Sequence, residues 1–478
     1  KDFPRNIQSL ATDQKNLYIG MKDEVGCYSF ATSDYQVISH PEFFYISTLM
    51  LDSSESTLWI GNAHHLHRMN LNTKEIERVR DFYVVKSIAK DDNNLLIGTD
   101  NGLYVCDRQG TWHLISHDAR NSQSLSSNVV NMFFKDANGN IWIGTDNGIS
   151  LAAHNPSIRS RSLFDITGSD EGCQISSIQR TVDSTLWLGG SRGLIKLKTD
   201  MQGNNIRRWY QMSSKESSLP HNRIRALYED SRQYLWVASD GGLLRYNPMN
   251  EQFISYFFDD LKNWVYDILE TPNGDLWLAT FCGVYGISSE QSPEGGILKV
   301  KYHFTHDQGL YSNDIYQLAL DRENNLWVLS NNHHIDRINL TTGTILPIEK
   351  ITDIPHIDSY AVISDSEGNI WISTSDNLLK LSVNKGNIST QSIPLSRVLS
   401  TEVFAMDEGE NEIWLTTSEG LFIVEKESLK VHRIRISEKC IDIFYDRIDH
   451  KVWLGTSNKI TQIDPILLRQ EIQQSQKV

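Results

Sequence analysis

The stretch Asp136-Ala-Asn-Gly-Asn-Ile-Trp-Ile-Gly-Thr-Asp-Asn-Gly-Ile-Ser150 decides the fold, because the chain repeats it many times. It has the pattern of a tight turn, a short apolar strand, a glycine turn and the start of another strand. Close copies begin at Asp230 and at Asn273. A repeat of this length determines the architecture more firmly than any single segment does.

Eleven copies can be aligned on the residue at the centre of the apolar strand. Nine of the chain's twelve tryptophans occupy this position, and the copies are spaced 37 to 50 residues apart. A period of about 40–50 residues, with four strands in each unit, is typical of a β-propeller. The central residues are Tyr18, Trp59, Leu96, Trp142, Trp187, Trp236, Trp277, Trp327, Trp371, Trp414 and Trp453.

The pattern predicts an all-β chain of β-propeller repeats, with eleven blades in two rings. One ring holds about 4–8 blades, so eleven copies do not fit a single ring. A polar segment around Pro156 follows the fourth copy and marks the division, and helical periodicity is confined to the C-terminal end. We expect residues 1–155 to be the last four blades of an incomplete first propeller, residues 156–465 a seven-bladed propeller, and residues 466–478 a tail leading to a downstream domain.

Composition argues against several classes of protein. The formal net charge of −15 disfavours nucleic-acid binding, which needs a basic surface. No run of eighteen or more apolar residues is present, so no stretch is typical of a membrane helix. The five cysteines are scattered, without the spacing of a metal cluster or a dense disulfide framework. No catalytic or nucleotide-binding motif is present, and we expect neither a cofactor nor enzymatic activity in this region.

The polar residues of the turns have structural interpretations. Two turns are rich in histidine, His64-His-Leu-His67 and His333-His334, but adjacent histidines alone rarely form a metal site, so we expect none. The aspartates six residues before the central tryptophan are expected to cap turns through hydrogen bonds. These aspartates are Asp136, Asp230, Asp321 and Asp365.

Strand order predicts a binding face at one mouth of the second ring. The strands of a blade are labelled A to D, with A innermost and the central residue on B. Because successive strands alternate in direction, the start of A and the B–C turn lie on the same face. Aromatic rings there could cover the apolar face of a sugar, beside polar groups for its hydroxyls, whereas Arg225 should lie further in as part of an ion pair. The candidate ligand-binding residues are Arg192, Asn222, Arg223, Asp240, Asn263, Trp264, Phe281, Asn313, Asp314, His333, His334 and Tyr360.

Six stretches carry a resemblance to a known family: Asn101-Gly-Leu-Tyr104, Ser124-Leu-Ser-Ser-Asn128, Leu186-Trp-Leu-Gly-Gly190, Trp209-Tyr-Gln-Met212, Pro220-His-Asn-Arg-Ile-Arg225 and Asn263-Trp-Val-Tyr266. The repeats resemble the two-component regulator propeller repeat. The chain as a whole is similar to the periplasmic sensor region of hybrid two-component systems of gut Bacteroides-type bacteria. In that family two seven-bladed propellers precede an immunoglobulin-like domain, a membrane helix and a cytoplasmic kinase. With eleven repeats and none of the later domains, this chain is expected to be a fragment of such a sensor.

The resemblance implies a function for the region. It implies the periplasmic ligand-sensing part of a transmembrane hybrid histidine kinase, joined to the membrane only through a segment absent from this chain. Its ligand would be an oligosaccharide released from a glycan, its output the control of polysaccharide-utilisation genes, and its assembly a homodimer through the sensor. Two alternatives remain. One is a propeller hydrolase or lyase that uses carboxylates such as Asp240 and Asp314, and the other is a propeller that only binds proteins.

Overall fold

The structure is a computed structural model in which the chain forms two compact units, Lys1–Pro156 (unit 1) and Ser157–Val478 (unit 2). The all-β prediction is confirmed, because the described strands form eleven sheets, four in unit 1 and seven in unit 2. No described helix is long and apolar enough to cross a membrane. The residues described are 6–91, 94–107, 109–119, 124–136, 139–152, 157–169, 172–199, 205–213, 218–258, 264–288, 290–352, 358–375, 377–395, 403–418, 420–434 and 439–475.

Unit 1 contains sheets 1 to 4, whose strands are antiparallel and follow one another along the chain. The first strands of these sheets contact one another in series. Sheet 1 is formed by Ser9–Thr12, Asn16–Gly20, Glu24–Ser29 and Tyr35–Ser39; sheet 2 by Thr48–Asp52, Thr57–Gly61, His65–Asn70 and Ile76–Asp81; sheet 3 by Val85–Asp91, Asn94–Thr99, Gly102–Cys106 and Trp112–Ile115; and sheet 4 by Val130–Lys135, Ile141–Thr145 and Gly148–Ala152.

Unit 2 contains sheets 5 to 11, and in each of them the first three strands are antiparallel and consecutive in the chain. Sheet 5 is formed by Ile175–Arg180, Leu186–Gly190, Gly193–Thr199 and Asn205–Tyr210; sheet 6 by Ile224–Glu229, Leu235–Ser239, Gly242–Asn247 and Gln252–Phe257, with Gly296–Ile297 added in parallel; sheet 7 by Val265–Glu270, Asp275–Thr280, Gly283–Ser288 and Val300–Phe304; and sheet 8 by Ile315–Leu320, Asn325–Ser330, Ile335–Asn339 and Ile345–Pro347.

The remaining sheets and the helices complete unit 2. The last α-helix lies where the sequence predicts helical periodicity at the C-terminal end. Sheet 9 is formed by Ser359–Ser364, Ile370–Thr374, Asn377–Asn384 and Asn387–Pro394; sheet 10 by Val403–Glu408, Glu412–Thr417, Gly420–Glu425 and Val431–Ile434; and sheet 11 by Asp442–Asp446, Lys451–Gly455, Lys459–Ile463 and Ile158–Ser162. The α-helices are Leu163–Thr167 and Pro465–Ser475, and single 3-10 turns span His306–Gln308 and Ile348–Lys350.

Sheet 11 closes the ring of unit 2 by joining the two ends of that unit. Its outer strand, Ile158–Ser162, precedes sheet 5 in the chain and pairs antiparallel with Lys459–Ile463. Across this pairing the hydroxyls of Ser160 and Thr461 lie 2.8 Å apart. The first strand of each sheet contacts the next all the way round, because that of sheet 11 also contacts that of sheet 5. The seven first strands therefore surround a central channel.

The central residues of the repeat lie on the second strand of their sheets, as predicted. Trp236 and Trp327 are completely buried, and each packs against apolar residues of the following sheet. Gly189 lies two residues after its tryptophan, where a Cβ would come within 2.6 Å of Ile224 Cγ2 in the next sheet. The repeat thus pairs a large aromatic filler with a small residue at the point of closest approach.

The aspartates that recur before the central tryptophan cap turns, as predicted. Asp321 Oδ1 accepts hydrogen bonds from the backbone N–H groups of Glu323 and Asn325, both at 2.9 Å. Its other oxygen accepts the indole N–H of Trp327 at 3.0 Å. The aspartate therefore ties the A–B turn to the tryptophan six residues later. Asp136, Asp230 and Asp365 make the same bond to their tryptophans, at 3.0, 2.8 and 2.8 Å.

Candidate ligand-binding site

At one end of the sheets in unit 2, the B–C turn touches the residues that lead into the first strand. In each of three sheets a backbone N–H of the turn donates to a carbonyl oxygen at the start of strand A. This contact joins the two sets of candidate residues at one mouth of the channel. The bonds run from Asp240 to Arg223 at 3.2 Å, from Phe281 to Trp264 at 3.3 Å and from Asn331 to Asp314 at 2.8 Å.

Exposed Trp264 and partly exposed Phe281 form an aromatic pair at this mouth. Their ring centroids are 5.2 Å apart and the rings meet edge to face at 69°. Trp264 keeps 41% of its surface exposed, which is unusual for tryptophan in this chain, where most are buried. A flat indole supported by a second ring offers an apolar platform beside an N–H donor, which is the combination that a sugar ring requires.

Arg225 forms an ion pair, as the sequence predicts, and its partner is Asp240, which was predicted as a ligand-binding residue. Arg225 Nε donates to Asp240 Oδ1 at 2.7 Å and Nη2 donates to Oδ2 at 3.2 Å. The guanidinium also lies 4.8 Å from the centre of the Tyr266 ring. This two-point geometry fixes the orientation of both charged groups. It also engages Asp240, one of the carboxylates on which a hydrolytic mechanism would depend.

Aromatic residues of the channel wall were missed among the candidates. Tyr266 and Tyr316 occupy the second place of consecutive first strands, and their rings lie 6.3 Å apart. Tyr316 is 46% exposed within the channel, where the surrounding protein limits its contact with water and, together with the negative charge of Asp442, raises its pKa. The sequence signal is a large side chain at the second place of strand A. Tyr266, Tyr316 and Phe404 were missed there, whereas Tyr360 was already a candidate and Arg225 was predicted to form an ion pair.

Three further candidates hold polar groups at the rim. Asp314 accepts a hydrogen bond from Asn331 Nδ2 at 3.0 Å, and burial raises the pKa of its carboxyl group. Arg192 and Arg223 are exposed, in a B–C turn and before a first strand respectively. The rim therefore presents both cationic groups and a carboxylate–amide pair, which suits hydroxyl or carboxylate groups of a ligand.

Two candidate asparagines brace loops at the same mouth. Asn222 Oδ1 accepts the backbone N–H of Met212 at 2.6 Å, and Asn313 Oδ1 accepts that of His306 at 2.7 Å. These short bonds hold the loop before each first strand in place. The carbonyl oxygens of both side chains are thus engaged within the protein. Asn263 lies outside the described residues.

The two candidate histidines occupy different environments. His333 is exposed, packs against Tyr360 with ring centroids 4.7 Å apart, and lies at the mouth. His334 is only 3% exposed and stacks on Tyr311 at 4.1 Å, with Nε2 3.3 Å from Glu349 Oε2. His333 belongs to the B–C turn, where its backbone φ is 66°, and His334 directly precedes the strand Ile335–Asn339, so one is presented to solvent and the other packs inside.

Three carboxylates line the interior of the channel and brace adjacent first strands. Asp267 Oδ2 accepts the backbone N–H of Leu318 at 2.9 Å, and Asp407 Oδ2 accepts that of Tyr445 at 2.6 Å. Burial raises the pKa of Asp267 and of Asp407 to about 6. The pKa of Asp442 lies well above its usual value because of burial and the nearby charge of Asp407. Each keeps partial exposure, which is to the channel rather than to the outer surface.

Asp267→Asn is expected to change how the stability of unit 2 depends on pH. The folded-state pKa of Asp267 is raised to about 6 from 3.8, so the wild-type free energy of unfolding falls as pH rises between these values. The free energy of unfolding of the variant does not fall in this way, because asparagine does not ionise. We expect it to gain about 1–3 kcal/mol on the wild type between pH 4 and pH 7, with solvent in the channel reducing the effect.

Urea unfolding of both proteins across that pH range measures the difference. Asp449→Asn is a suitable control, because that side chain pairs with Arg180 at 2.8 Å outside the channel. A constant difference between Asp267→Asn and wild type from pH 4 to pH 7 would contradict the raised pKa.

A separate cavity of about 440 Å³ lies beside sheet 10 and the helix Pro465–Ser475. Its charged groups already pair with one another, as Arg469 does with Glu412, and His432 Nε2 with Glu425 Oε1 at 3.0 Å. The channel mouth offers exposed aromatic surface as well as polar groups. It is therefore the stronger candidate for a saccharide site.

Comparison with known proteins identifies the repeats. Residues 124–147, 218–241 and 261–281 match the family model described as two component regulator propeller. The last two segments contain mouth residues, among them Arg223 and Trp264. The chain is 27% identical over 306 residues to histidine kinase P4 of Formosa agariphila, a match that covers 60% of this chain and 21% of the relative. The chain thus matches about a fifth of that relative's length.

Solved structures extend the likeness to nearly the whole chain. The extracellular domain assigned to a hybrid two-component system of B. thetaiotaomicron is 30% identical, with a TM-score of 0.60, over 96% of this chain and 65% of that one. A second such domain from the same organism is 20% identical, with a TM-score of 0.76, over 95% and 61%, and shows the same fold. Three segments of the chain therefore match the two-component regulator propeller model, and the chain has the fold of the extracellular domains of hybrid two-component systems.

Proposed function

We propose that this chain is the periplasmic sensing region of a transmembrane hybrid histidine kinase, and that it binds a glycan-derived oligosaccharide at the channel mouth of unit 2. The kinase that it regulates would control polysaccharide-utilisation genes. The observation that carries the proposal is the exposed Trp264–Phe281 pair, because this chain otherwise buries most of its tryptophans.

The surroundings of that pair favour a saccharide over a purely apolar ligand. The Arg225–Asp240 pair and the Asp314–Asn331 pair lie in the neighbouring sheets of the same ring. Such fixed donors and acceptors suit hydroxyl groups, while the indole covers the apolar face of a sugar ring. Exposed Arg192 and Arg223 make acidic oligosaccharides a natural part of any test panel.

Signalling requires that the ligand distinguish two states of the sensor. A ligand shifts a conformational equilibrium only by its difference in affinity for the two states. A site at the mouth contacts several sheets at once, so binding there could favour one arrangement of the ring or of a homodimer. The proposed homodimer would pass this preference to the attached kinase.

Trp264→Ala is expected to weaken oligosaccharide binding by about 10–100-fold, which corresponds to about 1.4–2.8 kcal/mol. Truncation removes the partly exposed platform, and we expect the fold to persist because Trp264 is not among the buried core residues. Calorimetric titration with oligosaccharides found by a thermal-shift screen measures the change, with Arg223→Ala as a second variant.

Tyr234→Ala is the matched control, because Tyr234 is 40% exposed and lies at the A–B turn, at the other end of its sheet. It should bind like the wild type. Equal loss in Tyr234→Ala and Trp264→Ala, or no loss in either, would contradict the mouth as the site. Release of cleaved product during the titration would instead favour a glycan-degrading enzyme, and capture of a protein without saccharide binding would favour an interaction platform.

A further inference from the structure

Three side chains of unit 1 converge at the junction of sheets 1 and 2. His40 and Glu42 lie in the connection after Tyr35–Ser39, and His67 lies on the third strand of sheet 2. One potential ligand atom from each lies within 4.8 Å of the other two. Two imidazoles and one carboxylate are a donor set that zinc and similar divalent metals use in proteins.

His67 occupies a position that its hydrogen bonds do not fully explain. Its side chain is completely buried, and Nε2 lies 3.1 Å from Glu42 Oε2. Its Nδ1 is buried and has no hydrogen-bond partner among the described residues. The neutral ring has two tautomers, and the one that carries its proton on Nδ1 presents the Nε2 lone pair to a metal beside Glu42.

Hydrogen bonds of Asn62 fix the segments that carry Glu42 and His67 before any metal binds. The backbone carbonyl of Glu42 accepts a hydrogen bond from Asn62 Nδ2 at 2.9 Å. The other end of the same amide accepts the N–H groups of His64 and His65 at 2.8 and 2.7 Å. Asn62 is itself fully buried, so it fixes the turn that leads into the strand of His67 against the segment that carries Glu42.

The distances suit a tetrahedral metal after a small adjustment. Two ligands about 2.0–2.1 Å from zinc, at the tetrahedral angle, lie about 3.3 Å apart. The 3.1 Å between His67 Nε2 and Glu42 Oε2 already matches this separation. His40 must move closer, and it can, because it is partly exposed and Nδ1 accepts only a long bond of 3.3 Å from the N–H of Glu42.

The two carboxylate oxygens of Glu42 have different neighbours. Arg78 Nη1 lies 3.4 Å from Oε1, on the side away from His67, and also approaches Asp81. His65 is turned toward Asp81, with Nδ1 2.9 Å from Oδ1. Arg78 therefore orients the carboxylate and leaves Oε2 directed at His67. With His65 engaged elsewhere, three protein ligands leave a fourth position for water or an exogenous group.

We propose that unit 1 carries a binding site for a divalent transition metal of the zinc class, held by His40, Glu42 and His67. This site is independent of the saccharide proposal, because it uses no residue of unit 2. It departs from the expectation of no metal that the sequence motif alone supports. The histidine-rich turn supplies only one of the three ligands, and the other two come from about 25 residues earlier in the chain.

The test is titration of the full 478-residue chain with Zn²⁺ after treatment with a chelator and desalting. We expect one equivalent to bind by calorimetry, a raised melting temperature, and a four-coordinate absorption spectrum when Co²⁺ replaces Zn²⁺. Loss of an outer-sphere partner typically costs 10–100-fold in metal affinity, so His40→Ala and Glu42→Gln should each cost at least about 100-fold.

His64→Ala is the matched control, because His64 is exposed in the same turn and lies outside the set of ligands. It should bind Zn²⁺ as the wild type does. His40 and Glu42 are partly exposed, so their variants should fold where a His67 variant need not, and circular dichroism checks this. Absence of stoichiometric Zn²⁺ binding would overturn the proposal, as would binding that survives both His40→Ala and Glu42→Gln.

Discussion

A disulfide between Ser160→Cys and Thr461→Cys is expected to stabilise unit 2 by about 3–5 kcal/mol. The two residues are directly opposite in the pairing that closes the ring, and their hydroxyls lie 2.8 Å apart. Facing β residues on one side of a sheet have Cβ atoms at distances that a disulfide can span. The positions are 301 residues apart, so the bond would remove much of the entropy of the unfolded unit, less any strain in the folded one.

Urea unfolding of the oxidised and reduced double variant measures this effect within a single protein. The reduced form should unfold like the wild type, and mass spectrometry confirms that the bond has formed. The wild type under both conditions controls for the five native cysteines, all of which are free. If the bond forms but the two unfolding midpoints agree, closure of the ring does not limit unfolding. If it does not form, the two positions do not have the Cβ geometry that a disulfide needs.

The strand that closes the ring shows where sequence reasoning ends. Ile158–Ser162 lies in a polar stretch and was interpreted only as the division between two rings. In the structure it is an outer strand whose partner, Lys459–Ile463, lies at the far end of the unit. Its backbone supplies the pairing, so it needs no apolar run of its own. By contrast, Trp236 and Asp230 were recognised because their contact spans only six residues.

The geometry of the candidate site was predictable in part. Alternating strands placed the B–C turns beside the starts of the first strands, as the contact between Phe281 and Trp264 illustrates. The burial of His334 was not predictable from the sequence. It depends on stacking against the Tyr311 ring, which comes from a preceding loop. The approach of Glu42 to His67 likewise depends on how two sheets pack, which no local spacing encodes.

Asp321→Ala is expected to lower the free energy that protects the second strand of sheet 8 by about 3–5 kcal/mol. Asp321 is 3% exposed and accepts hydrogen bonds from two turn N–H groups, from the amide of Asn325 and from Trp327 Nε1. Alanine leaves these buried donors without an acceptor. A buried donor that loses its partner costs about 1–3 kcal/mol, because water cannot replace the acceptor.

Asp136→Ala in sheet 4 tests whether the hydrogen bond stabilises the strand when the bond is exposed to water. Asp136 accepts the indole N–H of Trp142 at 3.0 Å, as Asp321 does that of Trp327, but Trp142 is 40% exposed. Water can take over there, so the loss should stay below about 1 kcal/mol. Hydrogen exchange of peptides covering Asn325–Ser330 and Ile141–Thr145 reports the two strands separately. Equal losses would show that the bond itself stabilises each strand, whereas a loss confined to Asp321→Ala would show that exclusion of water gives the recurrent aspartate its effect.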